Sequence, residues 1–173
     1  MDILIRKERE NDITQVSQVI KLAFESAEYS NGDEHHLVNR LRKSSAFIPE
    51  LSLVAQYQQE IIGHILFTKI KIDQHTSLAL APLAVLPAFQ RKGVGKKLIL
   101  EGHRIARELG YSSVIVLGHP TYYSQFGYTP ASKWNIKAPF DIPNEVFMAI
   151  ELVPNSLKRI SGKVEYAQEF FLK

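Results

Sequence analysis

Gly93 and Gly95, flanked by Arg91, Lys92, Lys96 and Lys97, are the residues of this chain best suited to holding an anion. An apolar run, Leu83-Ala84-Val85-Leu86, stops at Pro87, a short turn follows, and the glycines open an amphipathic stretch. Glycine lets successive backbone N–H groups turn toward one point, and a helix start adds unpaired donors and a positive dipole end. The four cations raise the local potential further. A pyrophosphate suits such a cradle. Spacing decides which kind. The dinucleotide fingerprint G-x-G-x-x-G lacks its first glycine here, and a Walker loop needs a hydroxyl residue where Lys97 follows Lys96. What stands is Gln90-x-x-Gly93-x-Gly95 after Leu-Ala-Val-x-Pro. The plain alternative is that two glycines merely let a strand turn tightly into a helix.

This segment resembles the acetyl-CoA loop of the GNAT superfamily of N-acetyltransferases. The resemblance implies that Gln90, Arg91, Lys92, Gly93, Val94, Gly95 and Lys96 bind the cofactor, the diphosphate resting on backbone amides. It also implies that the strand before the loop splays from its neighbour, so that the amides of Leu83, Ala84 and Val85 pair with the pantetheine arm. Tyr123-Ser124-Gln125-Phe126-Gly127-Tyr128 is similar to the family's Tyr-x-x-x-Gly-Phe, with Tyr128 in place of phenylalanine. By that likeness Tyr123 is the general acid that protonates the leaving CoA sulfur. A phenol with a pKa near 10 keeps its proton at neutral pH and can still donate to a developing thiolate. Read without the likeness, Tyr122, Tyr123 and Phe126 are core aromatics over a sheet. Tyr122 is expected to pack or line the pocket, and His119-Pro120 to shape the turn.

An amine acceptor must lose a proton before attack. Glu34, His35 and His36 fall between the first two expected helices, where the family places acceptor-binding residues, and Glu34 is the catalytic base assigned before either histidine. A solvated helix start explains the same cluster. Adjacent histidines point in different directions on a helix, so no metal site is expected. His64 reads as a core histidine or a pocket group, and His103 as a surface residue of the long helix.

Composition bounds the class. The 173 residues fit one domain, 1–173, with 45% hydrophobic and 23% charged residues, as in ordinary globular proteins. Without cysteine there is no disulfide, thiolate nucleophile or thiolate metal site. A net charge of +3 suits an anionic cofactor and falls short of a nucleic-acid-binding face. No apolar run reaches membrane-spanning length, and Met1-Asp2-Ile3-Leu4-Ile5-Arg6 lacks the features of a signal peptide, so a cytoplasmic protein with no membrane partner is expected.

The elements that must position these residues follow from periodicity. Asp2–Lys7 reads as a strand. Asn11 and Asp12 cap a helix with an apolar stripe from Ile13 to about Ser26. Tyr29–Gly32 is a loop, and Asp33 caps a second helix. Strands are expected at 51–58, 60–72 and 76–86, a helix from Gly93 to a terminator at Gly110, and a buried strand at 113–117. The helix between the last two strands makes a right-handed parallel crossover. Further strands are expected at 134–137, 147–152 and 163–170. This order of elements resembles that of the GNAT superfamily, and the resemblance implies a mixed α/β fold: a mostly antiparallel central sheet flanked by helices, with a parallel β-α-β crossover binding the cofactor. The resemblance covers about residues 3–128 and weakens where Pro130 to Pro143 hold three prolines. It is strongest to bacterial acetyltransferases with a His-Pro-x-Tyr-Tyr-x-x-Phe-Gly-[Phe/Tyr] block. The activity implied is transfer of acetyl from acetyl-CoA to a primary amine of a small molecule or peptide, by direct attack in a ternary complex. The competing reading is a CoA-binding sensor without catalysis. A homodimer is common in the family, though no residue here argues for one.

Overall fold

The apolar run from Leu78 to Val85 becomes most of the strand around which the sheet is organised. The computed structural model describes residues 1–25, 27 and 30–172. The elements are β1 (Ile3–Lys7), α1 (Ile13–Phe24), α2 (Glu34–Arg42), β2 (Phe47–Tyr57), β3 (Glu60–Ile72), β4 (His75–Val85), α3 (Val94–Glu108), β5 (Ser113–Leu117), α4 (Pro120–Tyr123), β6 (Thr129–Pro130), β7 (Ile136–Lys137), β8 (Phe147–Glu151) and β9 (Gly162–Glu165). The sheet runs β1-β2-β3-β4-β5-β8-β6, and β9 pairs with both β3 and β7. Antiparallel pairing prevails. The parallel pairs are β4 with β5, joined through α3, and β7 with β9. The expected fold class and crossover are therefore present.

Both faces of the sheet are covered, which explains why its central strands read as continuous apolar runs. Leu53, Ile65, Phe67 and Leu78 pack with Leu98 and Ile99 of α3 on one face. Val54, Leu66 and Ala84 pack with Val16, Ile20, Val38 and Leu41 of α1 and α2 on the other. Gly102 is glycine because a Cβ there would lie 2.2 Å from Cε2 of Phe67.

Several boundaries differ from the sequence reading. β2 begins at Phe47, beyond an irregularity that separates Phe47↔Thr68 from Ser52↔Leu66. The expected strand at 134–137 shrinks to Ile136–Lys137, because a 3-10 turn takes Ala131–Trp134. That at 163–170 ends at Glu165 and passes into a 3-10 turn, Gln168–Phe171. Asp12 and Asp33 precede their helices without capping them by side chain. Asp12 instead accepts from the two terminal guanidinium nitrogens of Arg6 and from the Arg9 amide, and Asp33 pairs with Arg40. Ser26 and Tyr29, parts of the expected helix and loop, lie outside the described residues.

Two histidines are interior. His64 is a core histidine: its Nε2 lies 3.1 Å from Ser52 Oγ, beside a Glu8 carboxylate gripped by Arg42 through both oxygens. His103, expected on the helix surface, is 2% exposed, with Nε2 2.8 Å from the Tyr128 hydroxyl. Burial drives the pKa of each ring from 6.5 down to about 4, the Glu8 charge opposing this at His64 and Arg107 adding to it at His103. Between those values the unfolded chain takes up protons that the folded chain refuses. Each histidine's contribution is therefore complete above pH 6.5 and is lost as pH falls toward 4, by up to about 3 kcal/mol per ring. Urea unfolding at roughly pH 7 and pH 4.5 should register a marked loss of stability on acidification. Equal midpoints would contradict the neutral-histidine assignment.

Candidate active site

A gap opens in the sheet where β4 and β5 part. Their pairing runs through Leu78↔Val114, Ala79↔Ile115 and Leu80↔Val116 and then stops, while β4 continues to Val85. At the parting point Ala81 and Pro82 face one β3 residue, since Phe67 pairs with Leu80 and Ile65 with Leu83. Such a bulge bends the strand, and Pro82 brings no N–H that would need a partner.

Strand alternation identifies the free amides. Leu86 donates to the Ile62 carbonyl at 2.9 Å, so in this register Ala84 also turns its backbone toward β3. Leu83 and Val85 turn theirs into the gap. The expectation for the Ala84 amide is thereby corrected, because an antiparallel strand presents alternate residues to opposite neighbours. The Val85 carbonyl, also in the gap, accepts Nε2 of Gln90 at 3.0 Å. Gln90 thus ties the following loop to the strand it leaves.

That loop turns through two residues with positive φ, Arg91 at 63° and Gly93 at 84°. In α3, the Lys97 amide donates to the Gly93 carbonyl at 3.1 Å. The amides of Val94, Gly95 and Lys96 precede it and have no helical carbonyl to reach. A Cβ on Gly93 would meet nothing within 4 Å, so space lies open at this corner. A hollow of about 410 Å³ occupies it, lined by Leu83, Val85, Gln90, Arg91, Lys96 and residues of the helix start. Lys92 and Ala84 are not on its wall, and the Lys92 ammonium lies 5.8 Å from the Phe89 ring centroid. The remaining expected loop residues are gathered there. Unpaired donors, two cations on the wall and unfilled space fit a diphosphate, and the two gap amides fit an amide-bearing arm.

A second hollow, about 500 Å³, adjoins along β4. Leu83 and Tyr122 line both. The Tyr122 hydroxyl lies where a Cβ on Gly95 would come within 2.6 Å of it. Tyr123 lines the second hollow and is 8% exposed. Its placement has local causes. Pro120 starts α4, the His119 carbonyl accepts the amides of both tyrosines at 3.1 and 3.0 Å, and Gly118 leaves room for the Tyr123 ring, whose Cε2 lies 2.3 Å from where a Cβ would stand. Edge contacts to Tyr122 at 5.0 Å and Tyr128 at 5.5 Å fix the ring, and His103 holds Tyr128 from behind. Sequence reasoning missed that support. Burial, with Tyr122 adding to it, pushes the Tyr123 phenol well above its usual range, so the proton stays on.

Glu34 reaches the far wall of the second hollow from the start of α2. One carboxylate oxygen accepts the Ser30 hydroxyl, and Oε2 is buried without a partner among the described residues. His35 and His36 are not on this wall, and burial lowers the His35 pKa. Phe140, Tyr166, Phe170 and Phe171 close the hollow from the C-terminal segment, which sequence reasoning had not connected to the site. No group of three or more histidine, aspartate or glutamate side chains among the described residues could hold a metal, and no helix among them is long and apolar enough to cross a membrane.

Residues 17–128 match the acetyltransferase (GNAT) family. The uncharacterized N-acetyltransferase YjhQ of Escherichia coli is 40% identical over 126 residues, 70% of each chain. The uncharacterized N-acetyltransferase YhbS of the same species is 29% identical over 171 residues, 97% of this chain and 98% of that one. The crystal structure of YhbS in complex with CoA superposes with a TM-score of 0.90 at 28% identity, covering 98% of this chain and 92% of that one. A GNAT family acetyltransferase from Brucella melitensis in complex with acetyl-CoA gives 0.81 at 33% identity over 98% of each chain.

Proposed function

The chain belongs to the GNAT family and is an acetyl-CoA-dependent acetyltransferase, and from that premise we propose that it acetylates a primary amine by direct attack within a ternary complex. The observation that carries this reading is the unpaired length of β4 running into the bare start of α3, with Tyr123 and Glu34 on the walls of the hollow beside it. All of residues 1–173 are read as one catalytic domain.

Acetyl-CoA supplies an acetyl group activated as a thioester. The amides of Leu83 and Val85 receive the pantetheine arm. Those of Gly93, Val94, Gly95 and Lys96, with the Arg91 and Lys96 side chains, receive the diphosphate. Glu34 draws the acceptor's ammonium group toward the gap and takes its proton, directly or through water, since an amine with a pKa near 10 is charged at neutral pH. The freed nitrogen bonds to the acetyl carbon as the carbon–sulfur bond breaks. Tyr123 gives its proton to the departing sulfur, and the second proton that the nitrogen sheds on becoming an amide restores the phenol through solvent. With no cysteine in the chain, no thiolate is available to carry the acetyl group between the two substrates. Positioning supplies much of the rate.

Initial rates of thiol release test this, with acetyl-CoA and a primary amine both varied. Intersecting reciprocal plots are the expected result. Parallel plots would signal an acetyl-enzyme and overturn direct attack. Binding of acetyl-CoA without release from any amine would favour a sensor.

A further inference from the structure

We propose that the acceptor is a primary amine borne on an apolar, ring-containing body that carries no acidic group, as in an arylalkylamine; the inference rests on the amine-acetylation reading above. The second hollow is an aromatic chamber with one carboxylate. Phe24 and Leu37 come from the two helices on one side, and Phe140, Tyr166, Phe170 and Phe171 from the C-terminal segment on the other. Tyr166 stacks on Phe140 with centroids 6.1 Å apart and planes 22° apart, and meets Phe170 at 5.0 Å. This wall is tied down. β9 pairs with the end of β3, and Nε of Arg40 donates to the Glu169 carbonyl at 3.2 Å while the same guanidinium pairs with Asp33. The segment therefore belongs to the chamber.

Charge narrows the choice. The described wall carries no lysine or arginine, and apart from tyrosines its ionisable side chains are Glu34 and His119. An acceptor carboxylate or phosphate entering there would lose its water and find no cation, an expensive arrangement for any buried charge. A polyamine would bring further ammonium groups to a wall with a single carboxylate. One ammonium is matched: Glu34 keeps Oε2 without a hydrogen-bond partner among the described residues, and an N–H donor there would satisfy it. The apolar remainder of the acceptor then covers aromatic faces, the usual makeup of a small-molecule pocket. About 500 Å³, shared with the acetyl end of the donor, holds a body of one or two rings.

The test compares amines that differ in one respect each, with the full chain and saturating acetyl-CoA. 2-Phenylethylamine and L-phenylalanine share a ring and an amine and differ by a carboxylate; spermidine has the amines without the ring. The expected result is a kcat/KM for 2-phenylethylamine at least about 100-fold above both others. Glu34→Gln should lower that value about 10- to 100-fold while acetyl-CoA still raises the melting temperature, which confirms that the variant folds. A rate for L-phenylalanine or spermidine equal to or above that for 2-phenylethylamine would overturn the acceptor class and leave amine acetylation standing. Thiol release with none of the three, nor with a lysine peptide, would remove amine acetylation itself and the acceptor class with it.

Discussion

Replacing Gly93 with valine should abolish the rise in melting temperature that acetyl-CoA gives the wild-type chain, while the variant stays folded. Gly93 sits at φ 84°, where a β-branched residue is strained by roughly 1–2 kcal/mol. A domain of ordinary stability, about 5–15 kcal/mol, survives that cost. Binding does not survive it. A valine disfavours this φ, and any relaxation of it turns the neighbouring amides away from the corner assigned to the diphosphate. A ligand at about 100 times its Kd stabilises by about 2.7 kcal/mol, and a 100-fold weaker Kd removes nearly all of that. Thermal unfolding with and without acetyl-CoA reads the difference. Lys92→Ala is the matched control: its ammonium is off the wall of the hollow, so the shift should be nearly that of the wild type. A full shift in Gly93→Val would mean that the diphosphate lies elsewhere.

Tyr123→Phe should leave the acetyl-CoA shift intact and cut kcat by about 10²–10⁴, the usual worth of a positioned general acid. The ring is held by Gly118, Tyr122 and Tyr128 through carbon contacts, so phenylalanine fills the same space. What disappears is a proton that burial keeps on the phenol at every working pH. Tyr122→Phe is the informative companion. Its hydroxyl stands against Gly95 at the start of α3, between the two hollows, and its loss should affect binding more than turnover. A larger fall in kcat for Tyr122→Phe than for Tyr123→Phe would exchange the two roles.

The glycine turn into α3 and the crossover were legible in the sequence because their signals are local. A run of apolar residues, a proline stop and two glycines lie within 16 residues of each other, from Leu80 to Gly95. The splay of β4 from β5 has no such signal, and it was reached only through the family resemblance. Ala84 was misjudged because three consecutive residues were assigned to one ligand, whereas a strand offers alternate backbones to each side. His103 could have been placed. It shares a helix face with Ile99, Gly102 and Ala106, all buried, and its partner Tyr128 belongs to the same motif as Tyr123. The C-terminal aromatics were harder. A strand was expected over 163–170, yet beyond Glu165 the chain leaves the sheet and its rings face a hollow. That surface is made by α1, α2 and β4, distant in sequence, so no local pattern announces it. Asp12 and Asp33 have the right type and position for helix caps, but nearby arginines compete for their carboxylates.

The central claim is that one continuous channel, from the start of α3 through the β4–β5 gap to Tyr123, receives the donor. A crystal structure of the chain with acetyl-CoA tests it most directly. The account predicts diphosphate oxygens within about 3 Å of amides between Gly93 and Lys96, pantetheine amides bonded to Leu83 and Val85, and the sulfur beside the Tyr123 hydroxyl. A donor bound outside the gap, or a sulfur out of hydrogen-bond reach of Tyr123 with the diphosphate correctly seated, would contradict it.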